Sequence, residues 1–241
     1  MGVQHAGNQR GGMLLAVASA KEYAALARGL GISADVPGVW ERVDARAGWS
    51  LVLTGVSKSN AAAGVARVLD PTRDGLVLSV GIAGALPGEN AMSIGEMVVA
   101  TSCVFSDEGL VSSAGFQDCA AMGFPLGDFE GSAVPVDVDS ARRLSTALGA
   151  RLGAIATVST CSGTDEGARE VVGRTGAIAE AMEGAACALV AQRLGVAAGE
   201  VRVISNTTGE RSRQIWDVGR AFRELERVGR LLGGLFSEGS M

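Results

Sequence analysis

Short apolar, β-branched runs alternate with amphipathic stretches from one end of the chain to the other. Met13 to Ala18 reads as a first strand, and Glu22 to Leu30 as a helix closed near Gly31. Ser50 to Thr54 is a second strand candidate, after which Asn60 caps a helix to about Leu69, before the breaker pair Asp70-Pro71. Leu76 to Val80 is a strand followed at once by Gly81-Ile82-Ala83-Gly84-Ala85-Leu86-Pro87-Gly88, and Glu96 to Cys103 is a continuous β-branched run. Ser106 to Pro135 is rich in Gly, Ser and Asp, which predicts loops and an edge hairpin. Asp139 and Ser140 offer an N-cap for a helix to Leu148. Ile155 to Thr160 follows as a strand, with helices at Asp165 to Thr175, at Gly184 to Leu194 and from about Ile215 to Leu235. Strands that alternate with helices predict one α/β domain with a central, largely parallel sheet. Residues 1–12 lack periodicity and are expected to be a disordered N-terminal tail, leaving 13–241 as the folded domain.

Composition sharpens this picture by exclusion. Apolar residues make up 47% of the 241 and charged residues 20%, enough for a sizeable core. A net charge of −5 argues against a nucleic-acid partner, which requires clustered Lys and Arg. Arg211, Arg213, Arg220, Arg223, Arg227 and Arg230 do cluster, but acids interleave with them, as on a solvated helix face. No run has the apolar length of a membrane span, so no membrane partner is expected. Cys103, Cys119, Cys161 and Cys187 lack paired spacing and read as reduced thiols of a cytoplasmic protein. The single histidine, His5, lies in the tail, which removes histidine-based nucleophile activation, metal cages and acid/base chemistry together. Neither metal nor cofactor is expected, and chemistry falls to carboxylates, amides and hydroxyls.

Glu183 is the most informative such group, an acid set among Ala and Met in Ala179-Glu180-Ala181-Met182-Glu183-Gly184. A desolvated carboxylate needs a partner or a task. Val201 to Gly209 reads as a parallel strand ending in Ser205 and Asn206, at the sheet edge where open α/β folds place ligands. Glu22, just after the first strand, is either a helix-dipole acid or a general base. The glycines around Ile82 and Ala83 are either a tight turn or a place where a ligand nears the backbone. Pro87 and Gly88 interrupt any dinucleotide fingerprint. Trp216 is either core or a lid.

These pieces occur in the order of a known family. Gly55 to Ala62, Gly81 to Leu86, Gly95 to Val99, Ala181 to Gly184 and Arg202 to Asn206 together resemble the nucleoside phosphorylase/nucleosidase superfamily. Ser205 to Arg211, followed by Trp216-Asp217, is most similar to its futalosine-hydrolysing branch, menaquinone-pathway nucleosidases that release hypoxanthine. The resemblance implies a single-domain, three-layer fold with a mixed, largely parallel sheet flanked by helices. It implies a nucleoside as the small-molecule partner and a homo-oligomer, a dimer or a multiple of dimers. It further implies that Glu22 is the base, Glu183 grips the ribose hydroxyls, Met182 packs on the sugar, and Asn206 faces N7 and O6 of the purine. Ser205, Ile82, Ala83, Gly84 and Arg211 complete the implied contacts, with Arg211, Arg213 or Lys58 as candidate cations for an acidic substrate arm. Asn in place of Asp favours a 6-oxopurine over adenine, since an amide both donates and accepts. Ser79 and Ile82 stand where phosphorylases of the family commonly carry phosphate-binding groups, which favours water as nucleophile. A purine nucleoside phosphorylase, a general 6-oxopurine nucleosidase and a non-catalytic nucleoside binder stay open as alternatives. No aromatic follows the Ile155 strand to stack on a base, and the family's first acid of Glu-Met-Glu is Ala181 here, with Glu180 one place earlier.

Overall fold

The computed structural model describes residues 11–46 and 48–235. The fold is built outward from β1 (Gly12–Val17), six consecutive buried residues paired in parallel with β3 (Trp49–Leu53) on one side and β4 (Asp74–Ala85) on the other. A strand buried on both faces has no use for alternation, hence the unbroken apolar run. Beyond β3 lies β2 (Arg42–Arg46), antiparallel, and beyond β4 lies β11 (Ala197–Thr207), parallel. The sheet continues through β5 (Met97–Phe105), β9 (Arg151–Thr157) and the three-residue β10 (Ala179–Ala181), with β8 (Ala133–Pro135) on the flank of β5. Five of its nine pairings are parallel. β10 pairs with β4 as well as β9, so β4, β11, β5, β9 and β10 close into a ring.

α1 (Ala20–Leu30), α3 (Val138–Leu148) and α6 (Val218–Leu235) pack together on one side, and α2 (Lys58–Val68) packs on α5 (Gly184–Arg193) on another. α4 (Asp165–Thr175) rests against β9. The three-layer α/β architecture is therefore present, with a mixed sheet between helical layers. Gly29 and Gly229 meet at the α1–α6 crossing, where a Cβ on Gly229 would stand 2.5 Å from the Leu26 carbonyl oxygen. Only glycines let the two helices approach this closely.

The expected hairpin is present as β6 (Gly109–Ser112) and β7 (Gly115–Asp118), but as a two-stranded sheet of its own and not on the edge of the main sheet. Several expectations are corrected. Gly81 to Ala85 is no turn: it continues β4, held by β11 from Gly81 to Ala85. Ser57, not Asn60, caps α2, while the Asn60 amide donates back to the Val56 carbonyl. Asp137 caps α3, through its carboxylate on the Ser140 N–H. The last helix begins at Val218, because Asn206 and Trp216 form a β-bridge that keeps Ile215 and Trp216 extended. Gly12 already belongs to β1; the remainder of the expected tail, apart from exposed Gly11, lies outside the described residues, as does 236–241.

Candidate active site

β1 ends at Val17 and the chain turns into α1, but β4 runs six residues past its last pairing with β1, at Ser79. That overhang creates the site. Ser19 and Glu22 form a capping box at the start of α1: the Ser19 N–H and hydroxyl donate to Glu22 Oε2 at 3.0 and 2.6 Å, and the Glu22 N–H returns to Ser19 Oγ. The other oxygen, Oε1, takes the Ile82 N–H of the overhang at 2.9 Å. Glu22 is thus both the helix-capping acid and a group docked on the glycine strand. Burial raises its pKa above the ordinary 4.5, with Arg202 opposing and Glu183 reinforcing the rise.

Arg202 is the hub, and the sequence reading missed it. It lies on β11 in register with Gly81, almost wholly buried, and only a glycine opposite leaves it room: a Cβ there would stand 2.5 Å from both Arg202 Nη1 and Glu22 Oε1. Its Nε donates to Glu200 Oε1 at 2.8 Å, Nη2 to Ser79 Oγ at 2.9 Å, and Nη1 lies 3.3 Å from Glu183 Oε2. Burial alone would pull the guanidinium pKa down; Glu200, Glu183 and Glu22 outweigh it and push the net value up. The missed signal was Glu200-Val201-Arg202, two opposite charges at i and i+2 inside an apolar strand. Charges there are tolerated only when paired.

Glu183 caps no helix N–H of its own, although it precedes α5. Its Oε1 instead accepts the Ser57 N–H at 3.2 Å, across from a residue far away in sequence. Ser57 holds φ 100°, a left-handed conformation costing a non-glycine residue about 1–3 kcal/mol. The strained turn at Ser57 directs its N–H at the carboxylate.

Three residues further along β4, Gly84 is in register with Asn206 on one side and Glu180 on the other. A bulge between Ile204 and Asn206 achieves this, since an unbroken ladder would have put Ser205 opposite Gly84. Ser205 Oγ donates to Asn206 Oδ1 at 2.8 Å and lies 3.1 Å from the Ala83 carbonyl oxygen, and Asn206 Nδ2 donates to the Thr207 carbonyl. Glu180 accepts the Ser162 N–H at 2.8 Å and the Ser162 hydroxyl at 2.6 Å, and burial raises its pKa. The Cys161 residue is exposed overall, but partial burial of its thiol pushes the pKa up, as do the charges of Glu180 and Glu183, with Arg211 opposing. Beside Ser162 opens a cleft of about 530 Å³ lined by Ser106, Asp107, Cys161, Thr164 and Arg174, and the buried Ser106 hydroxyl has no partner among the described residues.

The structure therefore joins Glu22, Ile82 and Glu183 around Arg202, and Ala83, Gly84, Ser205 and Asn206 one step along the same strand. Met182 packs with Leu86, Ala156 and Val158. Arg211 stacks on Trp216 at 4.8 Å and reaches Gln214, Arg213 pairs with Asp165, and buried Lys58 pairs with Asp107 and Glu108. Lys58 and Arg213, expected as free cations for a substrate arm, are committed to acids of the chain itself. Trp216 is about half exposed and so is not core. Among the described residues no His, Cys, Asp and Glu group has the makings of a metal site.

The chain matches the family model described as the phosphorylase superfamily over residues 15–232. The chain belongs to that superfamily. Within the superfamily it is 36% identical over 191 residues to futalosine hydrolase of Streptomyces coelicolor, covering 76% of this chain and 78% of the relative. It is 38% identical over 164 residues to futalosine hydrolase of Acidothermus cellulolyticus, covering 66% of this chain and 64% of that relative, just under two thirds of its length. Superfamily folds among solved structures include a futalosine hydrolase mutant of Helicobacter pylori (TM-score 0.67, 18% identity, 93% of this chain and 96% of that one). S-adenosylhomocysteine nucleosidase of Streptococcus pyogenes, in complex with 5-methylthiotubericidin, superposes with TM-score 0.71 at 20% identity over 95% and 97%.

Proposed function

We propose that this superfamily member hydrolyses the N-glycosidic bond of futalosine, releasing hypoxanthine. The observation that carries the reading is the convergence of Glu22 and Glu183 on Arg202, three residues along β4 from the position of Asn206. At about 3.3 Å per residue, the three steps from Gly81 to Gly84 span about 10 Å, comparable to a nucleoside from sugar to far purine edge. Residues an odd number apart leave a pleated strand on opposite sides, so the ligand lies across the overhanging end of β4.

Cleavage at a ribosyl carbon builds positive charge on the sugar and negative charge on the departing base. Glu183 accepts the ribose hydroxyls and favours the cationic sugar; Glu22 removes a proton from the attacking water. Arg202 aims both carboxylates, and its charge opposes the rise that burial gives the Glu22 pKa. Asn206 stabilises the leaving purine by donating a hydrogen bond to its O6/N7 edge. At Ile82 the strand offers no hydroxyl for a phosphate, which supports water as nucleophile. The four cysteines are free thiols and no described helix is long and apolar enough to cross a membrane; together with the family likeness this supports action in the cytoplasm. Exposed Leu110 and Val111 on β6, with Met122 and Phe124 beyond, support a homo-oligomer, read directly as solution mass.

The test is incubation of purified protein with futalosine, inosine and methylthioadenosine, with and without phosphate, scoring the released base by chromatography. Hypoxanthine from futalosine in phosphate-free buffer is expected. Adenine release, or cleavage that requires phosphate, overturns the reading.

A further inference from the structure

Glu180 takes no part in the chemistry above, yet it is a buried acid in register with the residue that reads the base. Strands β10, β4 and β11 place Glu180, Gly84 and Asn206 in one row, so the three point to the same side of the sheet. Neighbouring strands lie about 4.8 Å apart, which sets the outer two Cα atoms roughly 10 Å from each other. Between them stands a residue with no side chain. A Cβ on Gly84 would be 3.2 Å from Asn206 Nδ2 and 3.6 Å from Glu180 Cγ, and would collide with Thr208 Cγ2 at 2.8 Å. The row is a slot with a glycine floor, an amide on one wall and a carboxylate on the other.

The hydrogen-bond polarity of each wall is set by its neighbours. Asn206 Oδ1 lies 2.8 Å from the Ser205 hydroxyl and Nδ2 gives one hydrogen to the Thr207 carbonyl, so the second Nδ2 hydrogen, on the side of Gly84, is the donor the amide offers the slot. Glu180 takes both donors of Ser162, the N–H at 2.8 Å and the hydroxyl at 2.6 Å. Each of its oxygens keeps a second lone pair, so the wall presents acceptors alone and Ser162 no longer presents its donors. The ligand edge that fits is an acceptor beside a donor. A 6-oxopurine carries that pair in C6=O and N1–H. A 6-aminopurine carries the reverse, an amine beside a bare N1, and mismatches both walls.

We propose that Glu180 is a specificity-determining residue that accepts the N1–H of a 6-oxopurine, acting across Gly84 from Asn206. The inference rests on a purine occupying this slot, as in the function proposed above, and it assigns the part of the base that Asn206 does not reach. A carboxylate accepting one more hydrogen bond in a buried site contributes a ten- to hundredfold preference, on the order of what charged hydrogen bonds supply.

The experiment measures binding of free bases to the full chain by calorimetry, independently of turnover. Hypoxanthine is compared with 1-methylhypoxanthine, which lacks the N1–H, and with adenine, on the wild-type protein and on Glu180→Gln. Wild type is expected to bind hypoxanthine at least about tenfold tighter than either competitor, and Glu180→Gln is expected to lose most of that margin. Equal binding of hypoxanthine and 1-methylhypoxanthine overturns the proposal. So does a Glu180→Gln protein that weakens all three bases by one common factor, the signature of a residue that only holds the Ser162 turn. If the variant does not fold, the wild-type comparison of the two hypoxanthines decides alone. N1–H-dependent base binding with no hydrolysis of any nucleoside would overturn the hydrolase reading and leave the role of Glu180 standing.

Discussion

Replacing Arg202 by Met removes the one cation facing Glu22, Glu183 and Glu200 and leaves three nearly dry carboxylates together. Two routes are open to the folded protein, and their costs agree. Leaving buried charge unpaired costs about 3–5 kcal/mol. Protonating one carboxyl from an ordinary pKa near 4.3 to its neutral form at pH 7 costs about 1.4 kcal/mol per unit, hence also roughly 3–4 kcal/mol. For a chain of this size about 2–4 °C of melting temperature is lost per kcal/mol, so the variant should melt roughly 6–20 °C below wild type at pH 7. The sign with pH follows from the acids. Glu22 and Glu200 already have folded-state pKa values raised by burial, and losing Arg202 raises them further. A group raised in the folded state contributes stability that is fully present below its unfolded pKa, near 4.5, and is lost as pH rises through the folded value. The deficit of Arg202→Met should therefore be small near pH 4.5 and grow toward neutrality. Scanning calorimetry across that range reads it, with Arg202→Lys as the companion that keeps the charge but not the fork to Glu200, Ser79 and Glu183. An Arg202→Met protein melting within 2 °C of wild type at pH 7, by about 0.5–1 kcal/mol, would refute the hub.

Three further outcomes follow from the same geometry. Because Glu22 must be ionised to act as base and its pKa is raised, kcat/KM should fall on the acid side with an apparent pKa above 4.5, a value belonging to the acid cluster as a whole; a flat profile down to that pH would count against Glu22. Asn206→Asp places an acceptor where the slot now donates, and should shift preference from hypoxanthine to adenine nucleosides by about a hundredfold or more, read as the ratio of kcat/KM values; an unchanged ratio would remove Asn206 from base recognition. Gly229→Ala drives a methyl into the Leu26 carbonyl at the α1–α6 crossing and should cost about 1–3 kcal/mol of stability with kcat/KM intact at low temperature, and an unchanged melting curve would mean that the helices can part without cost.

How far the site was legible depended on the range of the interaction that made it. Glu183 stood out because an acid among Ala and Met is conspicuous in one dimension, and Glu22 because it follows the first strand at the start of a helix. Arg202 stood in the open too, two residues after Glu200, but was read only as part of a β-branched run. The glycines from Gly81 were left open between a turn and a close ligand approach, since in sequence a glycine that frees the backbone looks the same as one that makes room for a neighbour's side chain. Glu180 was noticed as out of place by one residue. Its significance came with β10, a three-residue strand too short for any periodicity and paired with Ile155 to Thr157 on one side and Gly84 and Ala85 on the other.

The order of strands and helices, the buried character of β1 and the presence of an acid directly before α5 are all properties of neighbouring residues, and the chain carried them in its pattern. Which residues meet was decided elsewhere: by the overhang of β4 past β1, which hands the Ile82 N–H to Glu22, and by the bulge in β11, which moves Asn206 rather than Ser205 opposite Gly84. The first is a matter of how far one strand outruns its neighbour, and the second a one-residue matter of register. Register is set by the packing of whole strands against each other, so it exists only once the sheet has formed.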